Sequence, residues 1–531
     1  MAKELSYLPL INFGIDGLNT QSNPASLEPL WLTSADNVVL RESGRISFRK
    51  GLKQKVVPSG TAIGSITEHN DQGTNKIFAS YGTSIYTIDF TTPNAAFPGS
   101  GADVKHTVAN STGDWQFVNF NKRLHCFHSG VVPQRYDGSL GSGSKWTAHA
   151  TDPATISTLF DPSCAMGFYG RIWAGGVNEA KDVVYWSNLL DGDDWTGGDS
   201  GLIDLSKYWD KDEVVALAPF FGKLVIFGKN NIVIYNSPQT VGSLAIDEII
   251  RGVGCVSRDS VQAIGDDLVF LSETGLRSLA RTTEKDKLPL TDLSLNIKDT
   301  LIRNIGQSTN VKSVYVENEG IYIMSFVDKN INYVFDFKHI TQNGVPRITT
   351  WSFNNDREPA SMAYTNLYDG LIVGQKDGSI AGYEGYFDTD LAWVGGSASY
   401  TNSAFTADVS SIWIPLGQTM SAAILKKMIL VLEGGSGATL GLRWYKDFSM
   451  NSSTTTQIAL APSTTGSTAL WGASSSLYGA AKFTPIYGLE EYQTPLSGSA
   501  KHLKLNLSIV SNGYDASIQD LSIISLQGKI R

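Results

Sequence analysis

Short apolar strands alternate with polar turns through most of this chain. The plainest example is the segment 221–235, in which LVIF and IVIY follow turns at Phe221–Gly222 and Gly228–Asn231. The unit recurs, and its first turn lies near positions 73, 121, 170, 222, 266, 319 and 370. Spacings of 44 to 53 residues are typical of β-propeller blades. The pattern therefore predicts an all-β chain with a propeller of about seven blades over residues 56–390, and six blades also fit it.

Residues 1–55 lack the repeat and are predicted to form an N-terminal arm for docking. Alternation in Asn37–Leu40 and in Arg45–Phe48 indicates a hairpin closed at Glu42–Gly44. The end of the arm is basic, and its cations are Arg41, Arg45, Arg49, Lys50, Lys53 and Lys55. A surface of this kind suits contact with a neighbouring protein.

The repeat ends near residue 390, and the composition changes there to a region rich in Ser, Thr and Gly. Long alternating segments at 427–432, 439–445 and 503–510 predict a C-terminal β-sandwich over 391–531. We expect the sandwich and the arm together to make the platform through which subunits form a ring. The turn Glu433–Gly437 is expected to close a hairpin. Low-complexity segments such as Ser463–Ser467 are predicted to be surface loops.

One helix interrupts the β pattern of the propeller. Ile297, Leu301, Ile302 and Ile305 recur at helical spacing, and Asp292 is predicted to cap the helix. We expect it to be an insertion packed on the rim between two blades.

Composition indicates the class of protein and the cellular compartment in which it folds. The 531 residues are 42% apolar and contain 52 glycines, which suits a turn-rich β-protein. No stretch reaches the length of a membrane span, and no secretory signal is recognisable at the N-terminus. Cys126, Cys164 and Cys255 are odd in number and widely spaced, so we expect buried free thiols in a reducing cytosol.

Negative charge is concentrated in one stretch. Residues 182–213 hold nine acids and two lysines, a net charge of −7 within a total of −9. One interpretation is a solvated acidic loop; the other is a wall that keeps DNA from adhering to a channel. The candidate residues for such a wall are Asp191, Asp193, Asp194, Asp199, Asp210, Asp212 and Glu213.

Catalytic signatures are missing from the sequence, and we predict no enzyme activity, no cofactor and no metal site. His125 and His128 are three apart on a predicted strand and face opposite sides, so they are poorly placed to share a metal. The glycosidase Asp-box is also broken: Gly192 and Trp195 keep its spacing, but Asn188 and Leu190 replace its Ser and Asp.

Several aromatic residues lie near the acidic stretch, where they either stack on sugars or pack between blades. They are Tyr185, Trp186, Trp195, Tyr208 and Trp209. Packing is the more common use of such rings in sheets.

Four segments together resemble one family. The first is FGIDGLNTQSNPASLEPLWLTSADNVVLRESGRISFRKGL at 13–52, and the second runs from VVYWSNLLDGDDWTGG at 183–198 to DKDEVVALAPFFGKLVIFGKNNIVIY at 210–235. The third is GVGCVSRDSVQAIGDDLVFLSETGLRSL at 252–279, and the closing segment is 501–531. They are similar to the tail nozzle, or tail tubular protein B, of short-tailed bacteriophages (podoviruses).

This resemblance implies a structural virion protein, assembled in the host cytoplasm and located in the virion tail. Six copies would form a homohexameric ring below the tail adaptor ring, with tail fibres or spikes attached nearby. DNA would be ejected through the lumen without specific binding, and no membrane span is implied. The chain lacks the long insertion of larger members, so a compact nozzle is expected. The alternative is a carbohydrate-binding or carbohydrate-cleaving propeller, such as a receptor-binding tail protein; a monomeric cellular propeller is a third reading.

Overall fold

Antiparallel β-sheets account for nearly all of the regular structure. A computed structural model of the chain describes residues 5–41, 45–56, 60–88, 104–209, 211–280, 292–308, 310–341, 343–354, 357–394, 397–416, 422–434, 438–460, 489–511, 513 and 515–527. The first 56 residues contribute six strands: β1 (Leu5–Pro9), β2 (Gly17–Leu18), β3 (Trp31–Asp36), β4 (Val38–Leu40), β5 (Ile46–Phe48) and β6 (Leu52–Val56).

The next twelve strands form three four-stranded sheets, in which consecutive strands pair. Blade 1 contains β7 (Ile63–Asp71), β8 (Thr74–Tyr81), β9 (Ser84–Ile88) and β10 (Lys105–Thr107). Blade 2 contains β11 (Gln116–Phe120), β12 (Arg123–Phe127), β13 (Gln134–Tyr136) and β14 (Trp146–Ala148). Blade 3 contains β15 (Cys164–Phe168), β16 (Arg171–Val177), β17 (Ala180–Trp186) and β18 (Gly201–Asp204).

The remaining propeller sheets continue this order around the ring. Blade 4 contains β19 (Val214–Phe220), β20 (Lys223–Gly228), β21 (Asn231–Asn236) and β22 (Ala245–Arg251). A three-stranded sheet follows, with β23 (Gln262–Ile264), β24 (Asp267–Ser272) and β25 (Gly275–Ser278). Blade 5 contains β26 (Val311–Val316), β27 (Ile321–Phe326), β28 (Ile331–Ile340) and β29 (Pro346–Trp351).

The ring closes through the N-terminal part of the chain. Blade 6 contains β30 (Pro359–Thr365), β31 (Gly370–Gln375) and β32 (Ile380–Tyr383), and β6 supplies its fourth strand. Tyr383 lies opposite Leu52, and Ile380 lies opposite Val56. The first and last parts of the propeller are therefore joined by backbone hydrogen bonds.

The predicted all-β propeller class is confirmed, and the repeat was located correctly. Every predicted first turn is the turn between the first two strands of a sheet, from Gln72–Gly73 in blade 1 to Asp369 in blade 6. Among the described residues the propeller has six blades of four strands, which is the lower of the two counts that the pattern allowed, and one further three-stranded sheet, β23–β25. The residues that follow its last strand, 281–291, lie outside the described residues.

The helix was predicted correctly in place but not in its cap. It is α1 (Lys298–Ile305), preceded by a 3-10 turn at Leu295–Ile297, and no side chain caps it. The Asp292 carboxylate instead accepts hydrogen bonds from the backbone N–H and hydroxyl of Ser294. No helix among the described residues has the length and apolarity needed to cross a membrane.

The rest of the chain forms a sandwich with the arm. Its strands are β33 (Asp388–Val394), β34 (Ser397–Ser403), β35 (Thr406–Ser411), β36 (Ile414–Pro415), β37 (Ala423–Gly434), β38 (Thr439–Lys446), β39 (Thr456–Ala459), β40 (Leu489–Pro495), β41 (Ser499–Ala500), β42 (His502–Val510) and β43 (Ala516–Gln527). β33 and β34 extend the sheet of blade 6, so the predicted boundaries near 55 and 390 fall inside strands that belong to that sheet.

Two sheets enclose the sandwich core. The distal sheet has the order β4–β5–β43–β37–β40, with β1 beside β43 and β41 beside β37. The joined sheet runs β3–β35–β42–β38–β39 and continues through β2 and β3 into β29 of blade 5. Met428 and Leu430 of the distal sheet and Leu440 and Leu505 of the joined sheet belong to one buried apolar cluster.

The predicted hairpin at Glu433–Gly437 is wrong. β37 pairs with β43 and β40 in the distal sheet, whereas β38 pairs with β42 and β39 in the joined sheet. The chain therefore crosses the core between β37 and β38. The predicted arm hairpin is present, because β4 pairs with β5, although its turn at 42–44 lies outside the described residues.

A buried arginine holds the arm to the propeller. The Arg49 side chain is fully buried and forms a two-pronged ion pair with Asp388, at 3.2 and 3.1 Å. Its Nε donates to the Asn37 side-chain oxygen at 2.8 Å, and two backbone carbonyls accept from its remaining N–H groups. The guanidinium lies between the rings of Phe353 and Phe405, 4.6 and 4.1 Å from their centroids.

Candidate functional site

The acidic stretch does not form a single surface. Asp191, Asp193, Asp194 and Asp199 lie in the loop between β17 and β18, whereas Asp212 and Glu213 lie in the loop between β18 and β19. The two loops leave opposite ends of β18 and so reach opposite faces of the propeller. Asp210 lies outside the described residues.

Most of the described acids have structural partners. One Asp194 oxygen accepts the backbone N–H groups of Thr196 and Gly197, and hydrogen bonding to these amides lowers the pKa of Asp194. Asp212 is buried and accepts the backbone N–H groups of residues 229 and 230. Glu213 pairs with two lysines, 181 and 229. Asp199, by contrast, has an exposed side chain.

Asp193 belongs to a buried polar cluster between blades 2 and 3. His125 Nδ1 and His149 Nε2 are 3.0 Å apart, and Asp193 Oδ1 lies 3.6 Å from each of them. Arg135 pairs with the second oxygen of Asp193, and Arg123 Nη1 lies 3.7 Å from the same oxygen. All three members of the His–His–Asp group are buried.

The three ligand atoms have the spacing of a tetrahedral metal site, because bonds of about 2.0–2.1 Å place ligands roughly 3.3 Å apart. The protonation state of His149, however, does not fit a metal site. The Trp195 indole N–H donates to His149 Nδ1 at 3.1 Å, and an indole nitrogen can only donate. Neutral His149 therefore carries its proton on Nε2, the atom that would bind the ion, and donates it to His125. The two arginines already neutralise the Asp193 carboxylate.

This cluster is a buried polar core in which, among the described residues, His125 Nε2 and Asp193 Oδ1 have no hydrogen-bond partner. Burial, followed by the charges of Arg135 and Arg123, lowers the pKa of His125 to about 3. Burial also lowers the pKa of His149 well below its ordinary value. Both imidazoles are therefore neutral at physiological pH.

The other histidine and the thiols that the sequence singled out are also internal. His128 points away from His125 and its Nε2 accepts the backbone N–H of Thr112 at 3.0 Å. Burial raises the pKa of the Cys164 thiol to about 12 and that of Cys255 to about 11. All three cysteines are free and buried, as predicted.

Charged residues close the axis of the propeller. Arg258 Nη2 lies 2.8 Å from Asp114, and Lys312 Nζ lies 2.7 Å from Asp259. Lys312 also pairs with Asp114, and Arg258 Nη1 donates to the Ser163 carbonyl. A cavity of about 140 Å³ remains beside them, well below the ~300 Å³ of a small ligand pocket. Among the described residues, these paired charges lie between the innermost strands of the propeller, where a passage through a single propeller would run.

A larger cleft of about 570 Å³ lies between the arm, blade 5 and blade 6. Tyr383 and Tyr386 line it together with charged side chains. Those charges have partners: Lys50 pairs with Glu319 at 2.7 Å, and Asp336 pairs with a buried arginine, 347. The cleft has the size of a ligand site, but its two acids are neutralised.

The predicted aromatic group largely packs inside the protein. Tyr185, Trp195 and Trp209 are buried, and Trp186 is half-buried against Trp173. Tyr208 is exposed. Packing between sheets, and not stacking on sugars, accounts for the buried three.

The structure shows two exposed apolar surfaces that the sequence analysis did not predict. The first, called the outward face, is the side of the distal sheet turned away from the sandwich core. Leu5, Tyr7 and Leu489 are 66%, 59% and 67% exposed there. Half-buried aliphatic residues lie on the same side, with Gln493 opposite Ile429 and with Glu491 and Asp520 opposite Val431. These aliphatic residues are Ile424, Ile429, Val431, Ile524 and Leu526.

The second surface, called the propeller patch, lies on loops of blades 3 and 4. It consists of Tyr169, Leu189, Leu190 and Phe221, which are 45%, 48%, 62% and 69% exposed. A signal for each surface was present in the sequence. The segment AILKKMILVLEG is apolar on both faces, and aromatic residues precede Gly170 and Gly222 at turns that are polar in other repeats.

Comparison with solved structures gives neighbours of low sequence identity. No family model and no curated protein matches the chain. The extracellular domain of a one-component system of B. thetaiotaomicron is 11% identical with a TM-score of 0.41, and the match covers 90% of this chain and 62% of that one. The Pan2 WD40 domain of Neurospora crassa is 9% identical with a TM-score of 0.38, and the match covers 65% of this chain and 97% of that domain. The chain thus spans less than two thirds of its first neighbour, and these likenesses carry no information about function.

Proposed function

We propose that this protein is a subunit of the hexameric tail nozzle of a short-tailed phage. In this role it links the adaptor ring to fibres or spikes and surrounds the path of the ejected DNA. It is a structural protein of the virion tail, assembled in the host cytoplasm, and has no catalytic role. The observation that carries the proposal is the apolar outward face of the distal sheet.

An antiparallel sheet in a sandwich usually has one apolar and one polar side. β37 departs from that rule: Met428, Leu430 and Leu432 face the core, while Ile429 and Val431 occupy the opposite side. Apolar residues on both sides of a strand are typical of strands buried on both faces. A neighbouring copy of the chain would supply the missing cover.

The arm is part of the same surface. β1 pairs with β43, which places Leu5 opposite Leu526 and Tyr7 opposite Ile524. N-terminal and C-terminal segments therefore form one sheet, which supports a single rigid platform for contacts with neighbouring subunits and with the adaptor ring.

The closed axis of the propeller supports a conduit between subunits. Arg258, Lys312 and their aspartate partners fill the axis of each propeller, so DNA would pass through the lumen that the ring encloses. Asp191 and Asp199 belong to one loop and remain the candidates for a lumen surface that repels phosphates. Finding that loop on the outside of the ring would remove them from this role.

Electron microscopy of particles from the source, labelled with antibody to this chain, tests the proposal. We expect label on a short tail with sixfold density. Label that is absent from every virion would refute the nozzle function.

Substitution on the outward face gives a second test. Val431→Lys places a charge in the proposed interface, yet it creates a favourable cross-strand pair with Glu491, the residue opposite it. The variant should fold and fail to enter tails. Ala263→Lys, on an exposed strand position of the three-stranded sheet, is the matched control and should assemble normally.

Carbohydrate binding is the second candidate, and the cleft of about 570 Å³ with two tyrosines favours it. Because Glu319 and Asp336 are paired, binding fits this cleft better than hydrolysis. A glycan array probed with the purified chain tests it. Binding that Lys338→Ala, a change at the cleft wall, abolishes would support this function.

A further inference from the structure

Two turns of the propeller have an unusual backbone. Tyr169 and Phe221 adopt left-handed conformations, with φ of 47° and 45°, immediately before Gly170 and Gly222. Such a conformation crowds the β-carbon of a large side chain, and it is uncommon for bulky residues. Leu190 in the neighbouring loop is also left-handed, with φ of 58°.

Other blades of the same protein provide an internal comparison. The equivalent turn position is Gln72 in blade 1, Asn121 in blade 2 and Asp369 in blade 6, with φ of 52°, 46° and 48°. Asn and Asp tolerate this conformation because their short polar side chains can hydrogen-bond locally. Blades 3 and 4 therefore keep aromatic residues where a polar residue would be less strained. Strain of this kind often marks a functional surface.

The strained residues form one contiguous surface, the propeller patch. The Leu190 N–H donates to the Gly170 carbonyl at 2.7 Å, which ties the two loops of blade 3 together. A β-carbon placed on Gly222 would lie 3.2 Å from the Tyr169 hydroxyl, so the turns of blades 3 and 4 also touch. The exposed parts of the four side chains add up to roughly 400 Å², which is about half of the area each partner contributes to a stable protein interface.

Two polar groups beside the patch have partners within the chain. The Asn121 amide donates to the Leu190 carbonyl at 2.9 Å. One Asp191 oxygen accepts the Asp193 N–H at 3.2 Å. A sugar would need polar groups that converge on it. The patch instead suits an apolar protein surface.

We propose that the propeller patch is the surface on which the outward face of a second copy of this chain docks. The inference rests on the proposed ring. A ring needs a head-to-tail contact between two different surfaces, because a single self-complementary surface gives only a dimer. The outward face is one surface with exposed apolar residues, and the propeller patch is a second, unlike one on the same chain.

The double variant Tyr169→Asn, Phe221→Asn tests the docking. Asn suits the left-handed turn, so the thermal unfolding midpoint should rise while concentration-dependent association in sedimentation velocity is lost. Gln72→Phe is the reverse control: it places an aromatic residue in the same kind of turn outside the patch, and should lower the midpoint without changing association. Association equal to wild type in the double variant would overturn the proposal, as would a wild type that stays monomeric at its highest soluble concentration.

A mixing experiment tests the head-to-tail arrangement directly. The patch variant and Val431→Lys should each be monomeric, and their mixture should give a heterodimer of twice the 57.5 kDa subunit mass and nothing larger. A mixture that stays monomeric would overturn the pairing of these two surfaces. Labelled particles that show a sixfold tail ring would leave the nozzle function intact in that case, so the two failures can be told apart.

Discussion

Removing the Arg49 guanidinium should destabilise the junction of arm, propeller and sandwich more than any surface change. In Arg49→Met the carboxylate of Asp388 stays buried, at 2% exposure, and keeps only the N–H of Leu52, at 3.1 Å, among its present partners. Breaking a buried ion pair from one side costs about 3–5 kcal/mol. The stacking between Phe353 and Phe405 adds to the loss, although the methionine side chain recovers part of that packing.

A double-mutant cycle gives the sharpest measurement. Asp388→Leu alone should cost a similar amount, because it leaves the arginine charge buried. The double variant Arg49→Met, Asp388→Leu should lose about 2–4 kcal/mol less unfolding free energy than the losses of the two single variants added together, since no unpaired charge remains. Urea unfolding followed by tryptophan fluorescence measures each variant.

The reasoning fails if Arg49→Met unfolds within about 1 kcal/mol of the wild type, or if the single effects simply add. Either result would mean that water reaches the pair or that the arm detaches before the remaining fold. Arg45→Met is the matched control. Its partner Glu433 is partly exposed, so the loss should stay within about 1 kcal/mol.

The remaining predictions concern the polar cluster and the junction. The pKa of His125 falls to about 3 and that of His149 lies well below its usual value in the folded state, so the unfolded chain binds more protons below pH 6.5 and stability is lost as pH falls. At pH 5 the free energy of unfolding should be lower by about 2 kcal/mol for each histidine. In the double variant His125→Gln, His149→Gln, the free energy of unfolding from urea titrations should change less between pH 7 and pH 5 than in the wild type. Because Trp195 fixes the proton of His149, added Zn²⁺ should leave the thermal midpoint of the wild type unchanged, and a clear rise in calorimetry would contradict the tautomer assignment. Gly51→Ala would force a β-carbon into the Phe387 backbone and should lower the midpoint, whereas Gly198→Ala, with open space around it, should not.

Turn chemistry and strand alternation are local properties, and they located much of the propeller. A turn such as Phe221–Gly222 or Asp369–Gly370 is set by the conformations its own residues prefer, and an apolar strand beside it is visible in the sequence. The helix at 298–305 was found for the same reason. The three buried cysteines followed from their number and spacing.

Partners that are distant in the sequence were decided only by the tertiary structure. β6 closes blade 6 across more than 300 residues, and β37 and β38 enter different sheets although a glycine-rich turn joins them. The acidic stretch divides at β18, so adjacent charges reach opposite faces. The proton of His149 depends on an indole 46 residues away. Local propensity is written in neighbouring residues, whereas pairing, burial and protonation depend on which distant groups share the same space; for that reason the sequence determined the blades, and the fold alone decided the closure, the polar core and the exposed apolar surfaces.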